Sequence, residues 1–225
     1  MNKTALIVGA SGLVGGHLLE LLLANERFGQ VFSLVRKASN KKHKKLVELV
    51  FDFNDDLAYN KLPKTDLAFC CLGTTIKKAG SQAAFKKVDW EYPLKLAKAL
   101  KKDNSNSFHI ITSLGSDAQS LIFYSKVKGE LENDLKKLDF KYLSIYQPSL
   151  LLGNRQEKRW GEKFAISIFP RFDFLLQGGL KKYRAIEAED VAKGMIYGAL
   201  NETNNIQTYL SDEIKDMADK LHTID

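Results

Sequence analysis

Between a short apolar run, Thr4 to Val8, and an amphipathic stretch starting near Val14 lies Gly9-Ala10-Ser11-Gly12-Leu13-Val14-Gly15. Three glycines at that spacing, directly after a strand and at the head of a helix, suit a backbone that must approach a pyrophosphate. Gly9 permits the tight turn, Gly12 lets the backbone come close, and Gly15 allows the helix to pack tightly on the sheet. The helix adds free N–H groups and the positive end of its dipole. In that context the turn predicts dinucleotide binding.

The rest of the chain repeats the strand–helix alternation that the turn begins. Leu18, Leu21 and Leu22 follow Val14 at helical spacing, with Leu19 and Leu23 widening the stripe. Further strands are expected at Val31–Val35, Leu46–Phe51, Asp66–Leu72, Phe108–Thr112 and Tyr142–Tyr146. Helices are expected at Gln82–Lys101, kinked at Pro93, and at Phe123–Leu138, Glu189–Leu200 and Ser211–His222, the last with Ser211 as N-cap. Such alternation implies an α/β fold, a Rossmann-type doubly wound parallel sheet. A chain of 225 residues fits one domain, 1–225. The irregular, phenylalanine-rich stretch within about 150–185 (Phe164, Phe169, Phe172, Phe174) is expected to form a small C-terminal substrate lobe.

Composition excludes several other classes. With 44% hydrophobic and 27% charged residues the chain is neither disordered nor fibrous. No apolar run is long enough to span a membrane, and glycines interrupt the only stretch resembling a signal peptide. The net charge of +7 owes much to Lys41-Lys42-His43-Lys44-Lys45, read as a solvated loop; without interleaved aromatics it does not predict a nucleic-acid partner. The histidines share no metal-ligand spacing, so no metal is expected. Cys70 and Cys71 are adjacent, and on a strand they face opposite sides. They are read as buried small hydrophobes rather than a disulfide, which points to a reducing, cytoplasmic setting.

The end of the second strand bears on the cofactor. NAD-specific sites usually place a carboxylate there for the ribose hydroxyls. This chain reads Leu34-Val35-Arg36-Lys37, and a guanidinium beside an ammonium suits a 2′-phosphate. NADP(H) is therefore expected over NAD(H).

Tyr124 and Lys128 lie four apart on one expected helix and share a face. An ammonium beside a phenol stabilises the phenolate and can hold a ribose, leaving the tyrosine to exchange a proton with a carbonyl or alcohol. Eight tyrosines in so lysine-rich a chain produce about one Tyr-x-x-x-Lys by chance, so position carries the argument. The pair follows the fifth strand, whose carboxyl end bears Thr112 and Ser113, and ligands of open α/β sheets gather at strand carboxyl ends. Ser113 is the candidate for orienting a substrate carbonyl, with Thr112 as a substitute. Asp89-Trp90 is read as packing.

Taken together, Gly9 to Gly15, Tyr124 with Lys128, and Glu189-Asp190-Val191-Ala192 resemble the extended and atypical short-chain dehydrogenases/reductases. More narrowly, Phe69-Cys70-Cys71-Leu72-Gly73-Thr74-Thr75, Lys78-Ala79-Gly80, Val127-Lys128-Gly129-Glu130 and Arg155-Gln156-Glu157 resemble the Tat-interacting-protein type, from residue 4 to about 200. The resemblance implies NADPH along the strand ends. Ser11 to Val14 would hold the pyrophosphate, Arg36 and Lys37 the 2′-phosphate, and Asp52 and Phe53 would lie near adenine. Leu72 and Gly73 would lie by the ribose, Tyr124 and Lys128 at the nicotinamide, and Leu150 and Leu151 by the carboxamide. Ser113 precedes Tyr124 by eleven residues, closer than is usual in the superfamily.

The function expected is an NADPH-dependent oxidoreductase acting on a small carbonyl or alcohol. The alternative is an NADPH-binding regulatory or scaffold protein, and a homodimer or a protein partner is left open. Sugar-nucleotide epimerisation is disfavoured because the chain leaves little room for a nucleotide-sugar lobe.

Overall fold

The structure, a computed structural model, describes residues 2–103, 105–153, 177–203 and 205–221. Seven strands form one parallel sheet: β1 (Lys3–Val8), β2 (Phe28–Val35), β3 (Leu46–Val50), β4 (Leu67–Cys70), β5 (Ser107–Ile111), β6 (Tyr142–Gln147) and β9 (Ile206–Leu210). Their order across the sheet is β3-β2-β1-β4-β5-β6-β9. The direction of progression reverses between β1 and β4, and that crevice is where an open α/β sheet receives a ligand.

Both faces of the sheet are covered, and strand alternation decides which side chain goes where. From β1, Ala5 and Ile7 point to one side and Leu6 and Val8 to the other. On the first side lie α1 (Leu13–Ala24), α6 (Ala188–Leu200) and α7 (Ser211–Leu221), contributing Leu18, Leu22, Val191, Met195 and Ile214. The opposite side is covered by α4 (Tyr92–Lys102) and α5 (Phe123–Lys136), with Leu96, Leu100, Leu131 and Leu135. The two cysteines follow the same rule. Cys70 is buried with the α4/α5 side and Cys71 packs against the other, and both are free thiols.

Several expectations need correction. The sequence predicts six strands; a seventh, β9, extends the sheet parallel to β6. It is a half-exposed edge strand, so it lacks the buried apolar run that marks the central ones. A separate pair joins β7 (Leu151–Leu152) to β8 (Ile186–Glu187). After the short α2 (Ile76–Ala79), the single helix expected over Gln82–Lys101 is three pieces: α3 (Gln82–Lys86), a π-helical turn (Lys87–Glu91) and α4. Pro93, expected to kink the helix, lies just past the π-helical turn, at the head of α4. Ser211 opens α7, but its hydroxyl is bound to Ser149 and does not cap its own helix. Phe164, Phe169, Phe172, Phe174, the substrate lobe they were expected to build, Arg155, Gln156, Glu157 and His222 lie outside the described residues.

The lysine-rich loop behaves as a solvated connection. Lys41 pairs with Glu20 on α1, and Lys45 donates to the Asn25 carbonyl at the end of α1, 2.9 Å away. A cation at a helix carboxyl end meets the negative end of the dipole.

Candidate functional site

At the carboxyl ends of the strands a cavity of about 790 Å³ opens between β1, β4, β5 and β6. One wall is the glycine turn. Gly9 has φ +85, and a Cβ there would lie 2.5 Å from the Cys71 carbonyl oxygen, so only glycine fits. A Cβ on Gly15 would collide with the Gly9 carbonyl, which is why α1 can sit so close to the sheet. Gly12 is the N-cap of α1 and brings no side chain to its N–H groups, and the first turn carries no acid. Ser11, Gly12, Leu13 and Val14 all line the cavity, so its floor is an uncapped, electropositive helix end.

The opposite wall carries the ionisable groups. Tyr124 and Lys128, one turn apart on α5, both line the cavity, as do Leu72, Gly73, Ser113, Leu150 and Leu151. Tyr124 is half-buried, its ring 5.4 Å from that of Phe85. Lys128 is 3% exposed, and its Nζ lies 2.7 Å from Oδ1 of Asp89, which is 1% exposed. The other Asp89 oxygen accepts the Thr74 N–H at 2.9 Å. Burial alone would weaken the Lys128 ammonium, but Asp89, with Tyr124 adding to it, holds the group above the ordinary lysine range.

Asp89 is the site residue that sequence reasoning missed. It stands on the π-helical turn, which adds one residue to the helical repeat and redirects the side chains that follow. A signal did exist: Asp89 lies four residues after the fully buried Phe85, so helical spacing places a carboxylate on the inward face.

Of the two hydroxyls considered for orienting a substrate, the structure separates one from the other. Thr112 is buried and donates its hydroxyl hydrogen to Glu132 at 2.5 Å, and the Gln147 amide donates to both oxygens of the same carboxylate at 2.9 Å. Its hydrogen engaged, Thr112 is no substitute donor. Ser113 lines the cavity, and among the described residues its Oγ has a single, long contact, with Ser116 Oγ 3.4 Å away.

The residues expected at the adenosine end lie outside this cavity. Arg36 and Lys37 are exposed just past β2, with no hydrogen bond or ion pair to any described residue. Asp52 is exposed and accepts the Asn54 N–H and side-chain amide, which hold its carboxyl below the usual carboxylate range. Phe53 is a core residue whose ring packs against Phe51 and Tyr92.

A second polar cluster, at the amino end of β5, is not a nucleophilic triad. Ser107 Oγ and Glu202 Oε1 both meet the same nitrogen of His109, Nε2, while Nδ1 faces the Tyr146 hydroxyl at 3.2 Å. His109 has no exposure. Burial pushes the Cys70 thiol up to about 12, so it is not a poised nucleophile either.

Fold and site together define a Rossmann-type chain built like the extended short-chain dehydrogenases/reductases. Within that class the chain belongs to the HIM1 family, whose profile matches residues 28–171. Protein HTATIP2 of Rattus norvegicus is 37% identical over 175 residues, 75% of this chain and 71% of that protein, so the resemblance to the Tat-interacting-protein type holds. Protein FMP52 of Debaryomyces hansenii is 32% identical over 86% of both chains. Among solved structures, WbmH of Bordetella bronchiseptica in complex with NAD+ superposes with a TM-score of 0.69 at 17% identity, covering 97% of this chain and 80% of that one. UDP-glucose 4-epimerase of Thermotoga maritima, solved with UDP-glucose, gives 0.67 at 15% identity, covering 96% and 82%. At such identities the likeness is one of fold.

The cytoplasmic expectation does not stand. The FMP52 proteins of several fungi, 32% identical in Debaryomyces hansenii and 34% in Candida albicans, are named as mitochondrial. Unpaired thiols distinguish reducing from oxidising compartments, and they do not distinguish one reducing compartment from another.

Proposed function

We propose that this chain is an NADP(H)-dependent oxidoreductase acting on a small carbonyl or alcohol substrate. The observation that carries the reading is the convergence on one cavity of an uncapped helix end, a Tyr–Lys pair and an uncommitted serine hydroxyl. Binding of nicotinamide cofactors by structural neighbours, WbmH among them, supports the same choice.

The residues present fit such a cofactor. Leu13 and Val14, at the head of α1, offer N–H groups to a pyrophosphate, and neither Gly12 nor Gly73 projects a side chain into the cavity that both line. Arg36 and Lys37 would take a 2′-phosphate, and Leu151 would reach the carboxamide. When bound, the nicotinamide supplies or accepts the hydride. Ser113 donates a hydrogen bond to the substrate oxygen and orients it. Tyr124 gives that oxygen a proton in reduction and removes one in oxidation. Lys128 presents a fixed positive charge beside Tyr124 and hydrogens for the ribose hydroxyls, held in place by Asp89. The low exposure of Lys128 and Asp89 keeps water from weakening that charge.

The test is NADPH consumption with a panel of small aldehydes and ketones, by wild type and Tyr124→Phe, alongside NADPH binding by both. Turnover lost and binding kept in the variant is the expected result. A wild type that binds NADPH tightly, reduces nothing, and is unaltered by Tyr124→Phe would replace this reading with a binding-only, regulatory one.

A further inference from the structure

The segment after β2 carries the two cations assigned to the 2′-phosphate, and it also carries the means of keeping them available. Ser39, three residues past Arg36, makes three hydrogen bonds. Its N–H donates to Glu48 Oε2 at 2.7 Å, its hydroxyl donates to Glu48 Oε1 at 2.7 Å, and its oxygen accepts the Lys41 N–H at 3.1 Å. Glu48 stands on β3 opposite Ser33 of β2, two residues short of the Val35–Val50 pair where β2 ends and Arg36 begins.

Two carboxylates therefore face this segment, Glu48 from β3 and Glu20 from α1. Both are engaged by residues other than the phosphate cations: Glu20 by Lys41, Glu48 by Ser39. Arg36 and Lys37 have no partner among the described residues. Exposed cations can stand free at little cost, so the feature to explain is the fixed placement of the nearby carboxylate. A glutamate bidentate to one serine has both oxygens oriented away from that role.

We propose that Ser39 is a specificity-determining positioning residue: by holding Glu48 in a bidentate hydrogen bond it keeps that carboxylate from neutralising Arg36 and Lys37, and so preserves the preference for a 2′-phosphorylated cofactor. The proposal rests on the reading that Arg36 and Lys37 bind the 2′-phosphate. Removing the serine hydroxyl leaves the charge of Glu48 in place but frees it to swing toward the cations. Removing the charge of Glu48 instead leaves nothing to compete with the phosphate.

The experiment is calorimetric titration of NADPH and NADH into wild type, Ser39→Ala, Glu48→Gln and the Ser39→Ala/Glu48→Gln double variant, at low and high salt. Ser39→Ala should weaken NADPH about two- to fivefold at low salt, the worth of one exposed ion pair, and less at high salt. NADH binding should not change. Glu48→Gln should bind NADPH at least as tightly as wild type, and the double variant should match Glu48→Gln, rescuing the serine loss. The proposal is overturned if Ser39→Ala binds NADPH like wild type, if the double variant stays as weak as Ser39→Ala, or if NADH weakens in parallel, since a loop merely loosened would affect both cofactors. A wild type with no preference for NADPH removes the underlying cofactor reading, whereas a clear preference that Ser39→Ala leaves intact removes the proposal alone.

Discussion

The two regions proposed to meet the cofactor, one inside the cavity and one outside it, carry their positive charge in opposite ways. Inside the cavity, Lys128 and Asp89 are almost wholly removed from water and already in contact at 2.7 Å. Past the end of β2, Arg36 and Lys37 stand in solvent without a partner among the described residues. A buried charge must be paired before any ligand arrives, because leaving it alone in low dielectric costs several kcal/mol. An exposed charge can wait at little cost, since water already solvates it. The first pair is thus part of the fold whatever its chemistry; the second contributes little to the fold, and its proposed role lies in binding alone.

That contrast can be broken by mutation. Asp89→Ala leaves Lys128 buried and unpaired, and unfolding in urea should show a loss of about 3–5 kcal/mol. Replacing both partners, Lys128→Met with Asp89→Leu, should recover most of that stability while abolishing turnover; a double variant as unstable as Asp89→Ala would show that the two residues contribute through something other than their pairing. Thr112→Val takes one donor from Glu132 and should cost about 1–3 kcal/mol by the same measurement. Arg36→Ala/Lys37→Ala should leave stability within about 0.5 kcal/mol of wild type.

The pH dependence sharpens the same comparison. Asp89 raises the Lys128 ammonium above its unfolded value, so its stabilising contribution is complete below the ordinary lysine range. It is lost only as pH climbs through the raised value. Unfolding free energies of wild type and the Lys128→Met/Asp89→Leu variant should therefore run parallel across neutral pH and converge only in strong alkali. Divergence near neutrality would mean that some other group governs the pair.

Much of this architecture was legible in the residues, and what escaped did so for identifiable reasons. The strand before Gly9, the helix after Gly15 and the buried central strands follow from apolar runs bounded by turn residues, signals that belong to neighbouring positions. Tyr124 and Lys128 share a face because helical spacing puts them there. Asp89 was read as packing because helical spacing from Phe85 shows an inward position without showing the buried Lys128 of another helix that it meets. Strand β9 escaped because an edge strand alternates weakly, and its place beside β6 is a long-range pairing. The engagement of Thr112 by Glu132 joins residues twenty positions apart on a strand and a helix, and only the packed structure brings them within 2.5 Å.

The measurement that tests the account most directly is equilibrium binding of NADPH and NADH to wild type and to Arg36→Ala/Lys37→Ala. Loss of two charge-assisted phosphate contacts should cost about 2–4 kcal/mol, roughly 30- to 1,000-fold in affinity, for NADPH alone. NADH should bind the variant as it binds wild type. If NADPH fails to bind wild type, or binds the double variant unchanged, the cleft does not use these cations for a 2′-phosphate and the account of its adenosine end is wrong.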